Sequence, residues 1–399
     1  MRVLFHVQHL LGIGHVRRAA LIARALAATG ARVTVAQGGF PVPGADFGDA
    51  EVVALPPARS ADAAFSAVVG ADGRPVDAAW EARRRDDLLA VEERVRPDVV
   101  LVETYPFGRR RFRFELEPLL DRALARRPRP VTACSVRDIV VRKDDPARHA
   151  RVAEVVRRRF DLVLVHGDPR LVPFEASFPA AGRIADRIRY TGYVAPPESE
   201  AEPPSDDGCG EVIVSVGGGA VGAGLLRTAL AARPLSPLAD APWRLLCGPD
   251  LPAGTAEELR AAAPAGVTVE PARPDFPALL RRCRLSISQA GYNTVMDVLA
   301  AGCPAVLVPF AAGAETEQTD RARLLADRGL AHMVAEHDLS PAGLARATAA
   351  ALAAPRRPDP AAQPAVDGAR QTTRLLREAL AERRADCNAV AAAAPVGLK

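Results

Sequence analysis

Residues 286–325 read SISQAGYNTVMDVLAAGCPAVLVPFAAGAETEQTDRARLL, and the architecture follows from this stretch. Residues 286–288 close a short apolar run of strand type, and Gln289, Ala290 and Gly291 make a turn of small residues. Tyr292, Asn293 and Thr294 then open a helix whose first amides have no partner within the helix and attract anions, phosphate above all. Asp297 lies one turn beyond Asn293 on the same face, where a carboxylate can accept hydrogen bonds from vicinal ribose hydroxyls. A second apolar run, 305–308, is followed by Glu317 and Gln318, whose side chains can project into the same crevice. Ligands of open α/β sheets bind beyond the carboxyl ends of the strands. A strand–turn–helix unit of this kind therefore predicts a doubly wound sheet with a phosphate-bearing ligand at its edge.

Upstream, residues 212–222 read VIVSVGGGAVG. A strand over 212–216, with Ser215 near its end, runs into Gly217, Gly218, Gly219 and Ala220 before another helix. The run satisfies G-x-G-x-x-G, but a dinucleotide site also needs an acid at the end of the next strand. Here Asp240 precedes the strand read over 243–247 and Asp250 follows a Gly-Pro turn. A phosphate-cradling loop of unspecified ligand is the better reading; a merely tight turn, or a nicotinamide oxidoreductase, is the alternative. At the amino terminus a strand over 3–7 leads into HLLGIGHVRR, residues 9–18. Gly14 gives a tight turn that lets backbone approach a ligand, and His15 opens a helix. There the dipole disfavours imidazolium, which suits a proton acceptor, although a histidine at such a place is also compatible with a structural role. Two further strand ends, ETYPFGRRR (103–111) and SVRD (135–138), carry Glu103, Tyr105, Arg109, Arg137 and Asp138. These side chains can orient a base or an acceptor, as can His166 in VHGDP, or they form loop salt bridges.

Short β-branched runs alternate with Ala/Leu/Arg-rich stretches of helical period throughout, the pattern of parallel sheets covered by helices. Strands are expected over 3–7, 32–36, 51–54, 98–103, 131–135, 161–166 and 188–192, then over 212–216, 243–247, 267–270, 285–288, 305–308 and 332–334. The division is a Rossmann-like domain over 1–195, a linker over 196–210, a second over 211–367, a helix over 368–385 and a disordered tail over 386–399. The linker lies within VAPPESEAEPPSDDGCG, whose prolines and acids leave almost nothing to bury. A chain of 399 residues with 49% hydrophobic and 25% charged residues fits two folded domains and excludes disorder. No apolar run reaches the length of a membrane span, and no signal peptide is read. The six cysteines show no C-x-x-C pair, so neither zinc cluster nor disulfide framework is expected and a cytoplasmic setting fits. The only lysines, Lys143 and Lys399, leave no Walker-A loop. Residues 1–195 carry 32 basic and 24 acidic side chains against a formal charge of +4 for the whole chain. The surplus is either solvated arginine or a face for an anionic acceptor or the inner membrane surface. Nucleic acid is not an expected partner.

The runs S-x-A-G-x-x-T-x-x-D, A-G-x-P-x-x-x-V-P and E-Q-x-x-x-A, together with G-x-G-H near the amino terminus, resemble the GT-B glycosyltransferases, most of all family 28, including its MurG-type members and the related UDP-glycosyltransferases. The resemblance implies an α/β fold of two Rossmann-like domains facing each other across a cleft, with a final helix returning to the first. It also implies an inverting, metal-independent sugar transfer from a nucleotide sugar, UDP-linked, which is a substrate and not a cofactor; no cofactor or metal is expected. On this resemblance Gly217–Ala220 and Gly291–Thr294 face the diphosphate, Asp297 stands where the family has its ribose carboxylate, and Gln318 contacts sugar hydroxyls with Glu317 in place of a second glutamine. His15 matches the base. The acceptor stays unidentified, anionic or lipid-linked. The N-terminal turn also resembles a UDP-sugar hydrolase, and nucleotide-sugar 2-epimerases share the architecture, so both remain alternatives beside a non-catalytic binding protein.

Overall fold

A computed structural model describes residues 1–10, 14–42, 44–61, 67–140, 145–195, 206–217, 221–249, 251–311, 316–354 and 364–393. Most of the expected linker therefore lies outside the described residues. The chain divides into two compact units, one of residues 1–169, 173–194 and 367–399, the other of 170–172 and 195–366.

The first unit runs β1 (Arg2–Val7), α1 (Gly14–Ala28), β2 (Arg32–Gln37), β3 (Glu51–Ala54), β4 (Arg59–Ser60), β5 (Val68–Val69), α2 (Ala78–Val95), β6 (Val99–Glu103), α3 (Arg113–Ala125), β7 (Val131–Arg137), α4 (Pro146–Arg159), β8 (Leu162–His166) and β9 (Ile188–Tyr190). Its seven-stranded sheet has the order β3-β2-β1-β6-β7-β8-β9, parallel at every pairing. Strands β6 and β8 are buried along their whole length, which is why they read as unbroken apolar runs and not as alternations. The antiparallel pair β4–β5 had no signal in the sequence; two residues per strand carry no periodicity.

The second unit runs β10 (Val212–Ser215), α5 (Ala223–Ala232), β11 (Trp243–Cys247), α6 (Thr255–Ala262), β12 (Val267–Pro271), α7 (Phe276–Arg282), β13 (Leu285–Ser288), α8 (Tyr292–Ala301), β14 (Ala305–Leu307), α9 (Glu317–Ala326), β15 (His332–Met333) and α10 (Pro341–Ala353). The sheet order is β12-β11-β10-β13-β14-β15, again parallel.

The last helix, α11 (Gly368–Ala393), packs in the first unit against α1 and β7. Its Leu376 and Leu380 are buried with Val16, Ile22 and Leu26 of α1, a contribution of roughly 1.5–3 kcal/mol per side chain. The helix continues to Ala393, so the disorder expected from residue 386 onward is corrected for 386–393. Alanine there sustains helix beyond the last packed leucine.

Candidate active site

Each sheet reverses its strand order once, between β1 and β6 in the first unit and between β10 and β13 in the second. At such a reversal the connections leave in opposite directions and open a crevice beyond the strand ends. The elements that end at these two points carry most of the residues singled out from the sequence.

In the first unit α1 begins at Gly14 with His15 as its second residue, and β6 ends at Glu103. Nδ1 of His15 lies 2.9 Å from Oε1 of Glu103. That carboxylate is fully buried and also accepts from Arg18, from Oγ1 of Thr104 at 3.1 Å, and from Oγ of Ser135 at 2.7 Å. Burial opposes ionisation of Glu103, but Arg18 foremost, with His15 and Ser135, holds its carboxyl below the usual glutamate range. An ionised carboxylate only accepts, so Nδ1 of His15 carries the hydrogen and Nε2 keeps its lone pair. The side chain of His15 is 13% exposed. Burial, then the charge of Arg109, hold its pKa down at about 3 against the upward pull of Glu103, and Arg137 adds to the lowering. The imidazole is a neutral, oriented proton acceptor.

Arg109, in a left-handed conformation at φ 57°, anchors its Nε on the carbonyl of Gln8 at 2.8 Å. Gln8 is itself held by buried Arg84, which pairs with Glu115 at 2.7 Å and donates to the carbonyls of Gly38 and Pro56. This support at the end of β1 was not read from the sequence, since its parts are dispersed over five segments. Three side chains assigned to chemistry or acceptor contact are placed otherwise. Tyr105 follows Thr104, whose φ of 68° turns the chain, and its ring enters the core while its hydroxyl donates to Glu117 at 2.7 Å. Asp138 is fully buried and caps its own turn through the amide of Ile139 at 2.8 Å. His166 is fully buried against Ser135 at 2.9 Å and Thr191 at 2.8 Å, with no surface for an acceptor. Arg137 ends β7 at a half-buried position.

In the second unit Gly218, Gly219 and Ala220 lie outside the described residues. Gly217, at φ 65°, takes its amide to the hydroxyl of Ser215 at 3.3 Å. A Cβ on Gly217 would stand 3.7 Å from Oγ1 of Thr294, so the turns after β10 and β13 adjoin. The amide of Gln289 donates to the carbonyl of Ser215 at 3.1 Å, reinforcing the junction. Helix α8 starts after Gly291 with no side-chain cap, which leaves its first amides for a ligand or water. Asn293, Thr294 and Asp297 are half-buried along this helix. Glu317 and Gln318 open α9. Gln318 spends its carbonyl oxygen on the amide of Phe310 at 3.1 Å, which turns its two N–H donors toward other partners. Glu317 pairs with Arg321 at 2.9 Å, and Arg321 also donates to the carbonyl of Ala290 at 3.2 Å and lies 5.4 Å from the centre of the Tyr292 ring. Arg321 thus ties α9 to the turn at Ala290. The sequence reading missed it, although its place four residues after Glu317 signals an ion pair.

Residues 213–375 match the glycosyltransferase family 28 C-terminal domain. Among curated proteins, the UDP-N-acetylglucosamine–N-acetylmuramyl-(pentapeptide) pyrophosphoryl-undecaprenol N-acetylglucosamine transferase of Rhodopseudomonas palustris is 37% identical over 89 residues, 22% of this chain and 24% of that protein. The protein of the same name from Synechococcus sp. is 40% identical over 116 residues, 28% of this chain and 30% of that one. These matches span about a quarter to a third of the relatives' length. Among solved structures, MurG of Acinetobacter baumannii (19% identity, TM-score 0.56) is covered over 95% of this chain and 100% of its own. The calicheamicin glycosyltransferase CalG4, also at 19% identity and TM-score 0.56, is covered over 100% of both. The fold is the GT-B fold of these enzymes.

Proposed function

We propose that this chain, of GT-B fold and with a family 28 glycosyltransferase domain over residues 213–375, transfers a sugar from a nucleotide sugar, UDP-linked, to an acceptor hydroxyl with inversion. The observation that carries the reading is the meeting of the turns after β10 and β13 at Gly217 and Thr294 within the matched domain. The first amides of α8, beside the turn at Gly217, would receive the diphosphate, Asp297 the ribose, and Gln318 the sugar. In the transfer the acceptor oxygen bonds to the anomeric carbon, the bond from that carbon to the diphosphate breaks with its electron pair on the diphosphate, and the hydroxyl proton passes to Nε2 of His15. Glu103 is then the partner that orients His15 and stabilises its charged form. No step calls on a metal or a cofactor, so chelation with EDTA leaves the rate unchanged.

The curated relatives are named for a pyrophosphoryl-undecaprenol acceptor, and the first unit has the arginine surplus to meet an anionic, lipid-linked molecule. Arg110, Arg111, Arg157 and Arg158 are exposed, whereas Arg159 is spent on Asp121 at 2.8 Å. A peripheral place on the inner membrane face accords with this, and no helix among the described residues is long and apolar enough to cross a membrane. Calorimetry against UDP, GDP, dTDP, CMP, NAD and UDP-sugars tests the donor; binding of NAD and of no UDP ligand would overturn it. Product analysis tests the reaction: free sugar formed without acceptor would make the enzyme a hydrolase, and an altered sugar still on UDP an epimerase. Salt-sensitive sedimentation with anionic liposomes tests the membrane contact.

A further inference from the structure

Behind Glu103, on the side away from His15, a line of polar side chains crosses the carboxyl edge of the sheet. Glu103 ends β6, Ser135 is its register partner on β7, His166 ends β8, and Thr191 follows β9. All four are buried, with Glu103, Ser135 and His166 at 0% exposure and Thr191 at 2%. Polar side chains in such surroundings are costly unless hydrogen-bonded to one another.

The contacts fix the direction of the protons from Glu103 as far as His166. Glu103 only accepts, so the hydroxyl of Ser135 donates to its Oε2 at 2.7 Å. The oxygen of Ser135 then takes the N–H of His166 Nε2 at 2.9 Å. A neutral imidazole is left with a bare Nδ1, which takes the hydroxyl hydrogen of Thr191 at 2.8 Å, with the carbonyl of Gly192 at 2.7 Å as the competing acceptor. Burial foremost, then Arg18, keep His166 neutral, its pKa held down at about 3. The far end of the line is Oε1 of Glu103, which receives Nδ1 of His15.

We infer that Ser135 and His166 are positioning residues that act through Glu103: they hold its carboxylate in one orientation and so fix which nitrogen of His15 is bare. This rests on the proposed role of His15 but concerns a property of the free protein. Charged or titratable groups around the line include Arg18 and His15 from α1, Cys134 and Arg137 from β7, Arg109 from the loop after β6, and the buried Asp138 and Asp168 beside Arg137 and His166. The donor seen at Oε2 is the hydroxyl of Ser135.

The test is long-range ¹H–¹⁵N correlation of the histidine rings in the full-length, ¹⁵N-histidine-labelled protein, read across pH, with rates measured in parallel. His15 is expected as the Nδ1–H tautomer. In Ser135→Ala and His166→Gln the Nε2–H tautomer of His15 gains population and kcat falls roughly tenfold or more, short of the ~10²- to 10⁴-fold expected from losing the base itself, while KM for the nucleotide sugar stays within about twofold. Ser135→Thr, which keeps the hydroxyl, restores both. Thr191→Val, at the outer end, gives the same reading on His166 if the inner variants fail to fold. Unchanged tautomer and pKa of His15 in folded Ser135→Ala and His166→Gln would overturn the inference. A tautomer shift in a protein that turns over no nucleotide sugar would uphold the line and sink the transfer reading instead.

Discussion

Replacing Glu103 by glutamine keeps the shape of the side chain and removes one charge, and the structure specifies two separable consequences. Arg18 is 2% exposed and pairs with Glu103; losing the charge of one partner in a buried pair costs about 3–5 kcal/mol. For a unit of this size each kcal/mol moves the midpoint by roughly 2–4 °C, so the first unit should melt about 6–20 °C lower. The second consequence is chemical. Arg18, Thr104 and His15 all donate to Oε1, so the glutamine carbonyl settles there and its amide faces the hydroxyl of Ser135, which can turn to accept. A neutral carbonyl in place of the carboxylate no longer stabilises the imidazolium that forms as His15 takes the proton, at a cost of roughly 10²- to 10⁴-fold in kcat. Adding Arg18→Met should return most of the stability, because an apolar side chain of similar length replaces the stranded charge, without returning activity. Calorimetric melting and steady-state transfer assays on the single and double variants check both parts. A Glu103→Gln protein that melts within about 2 °C of the parent and keeps its rate would refute the geometry.

His15→Ala should lower kcat by ~10²- to 10⁴-fold with the calorimetric affinity for UDP unchanged, since the donor turns lie in the other unit. Two buried neutral histidines, His15 and His166, have folded pKa values near 3 against 6.5 in the unfolded chain. The unfolded state therefore binds more protons between those limits, and stability falls as pH drops below about 6.5. At pH 5 the loss is about 2 kcal/mol for each, seen as a lower denaturation midpoint that His166→Gln halves; Glu103, whose folded pKa is depressed, adds its share only below about pH 4.5. Gly222→Ala places a Cβ at φ 128° and 2.5 Å from Cβ of Val216, so roughly 1–3 kcal/mol of stability is lost and UDP binding weakens about tenfold in a titration. Arg321→Met removes the ion-pair partner of Glu317 and the donor to Ala290, costing about 3–5 kcal/mol, much of which Glu317→Gln in the same chain recovers in thermal melts.

The inner strands were legible because parallel strands buried on both faces are written as continuous apolar runs, as in β11 and β13, which fall on the expected residues; the exposed edge strand β3 also does, from its paired valines, and most others differ by one or two at an end. The glycine-rich turns were legible from residue type, Gly217 by its positive φ and Gly222 by its contact with Val216. Direction at the strand ends was not. Thr104 adopts φ 68°, and no pattern in ETYPFGRRR tells that Tyr105 turns inward while Arg109 turns back to Gln8. Ser135 lies within the strand read over 131–135, yet its role is invisible there, since its partners Glu103 and His166 stand 32 and 31 residues away. Glu317 was read as facing a sugar because the family pattern puts a polar residue there; the arginine one turn later claims it.

The pairing of α11 with α1 has a consequence for synthesis. The unit that holds His15 is not a contiguous stretch of chain: Leu376 and Leu380 complete the apolar face of the helix that His15 begins. On a ribosome the second unit emerges whole and can fold while the first still lacks its closing helix, the reverse of the usual amino-to-carboxyl order. Until residue 380 or so has left the exit tunnel, Val16, Ile22 and Leu26 remain uncovered and available to chaperones. A nonsense mutation near the 3′ end of the gene would therefore damage the beginning of the protein.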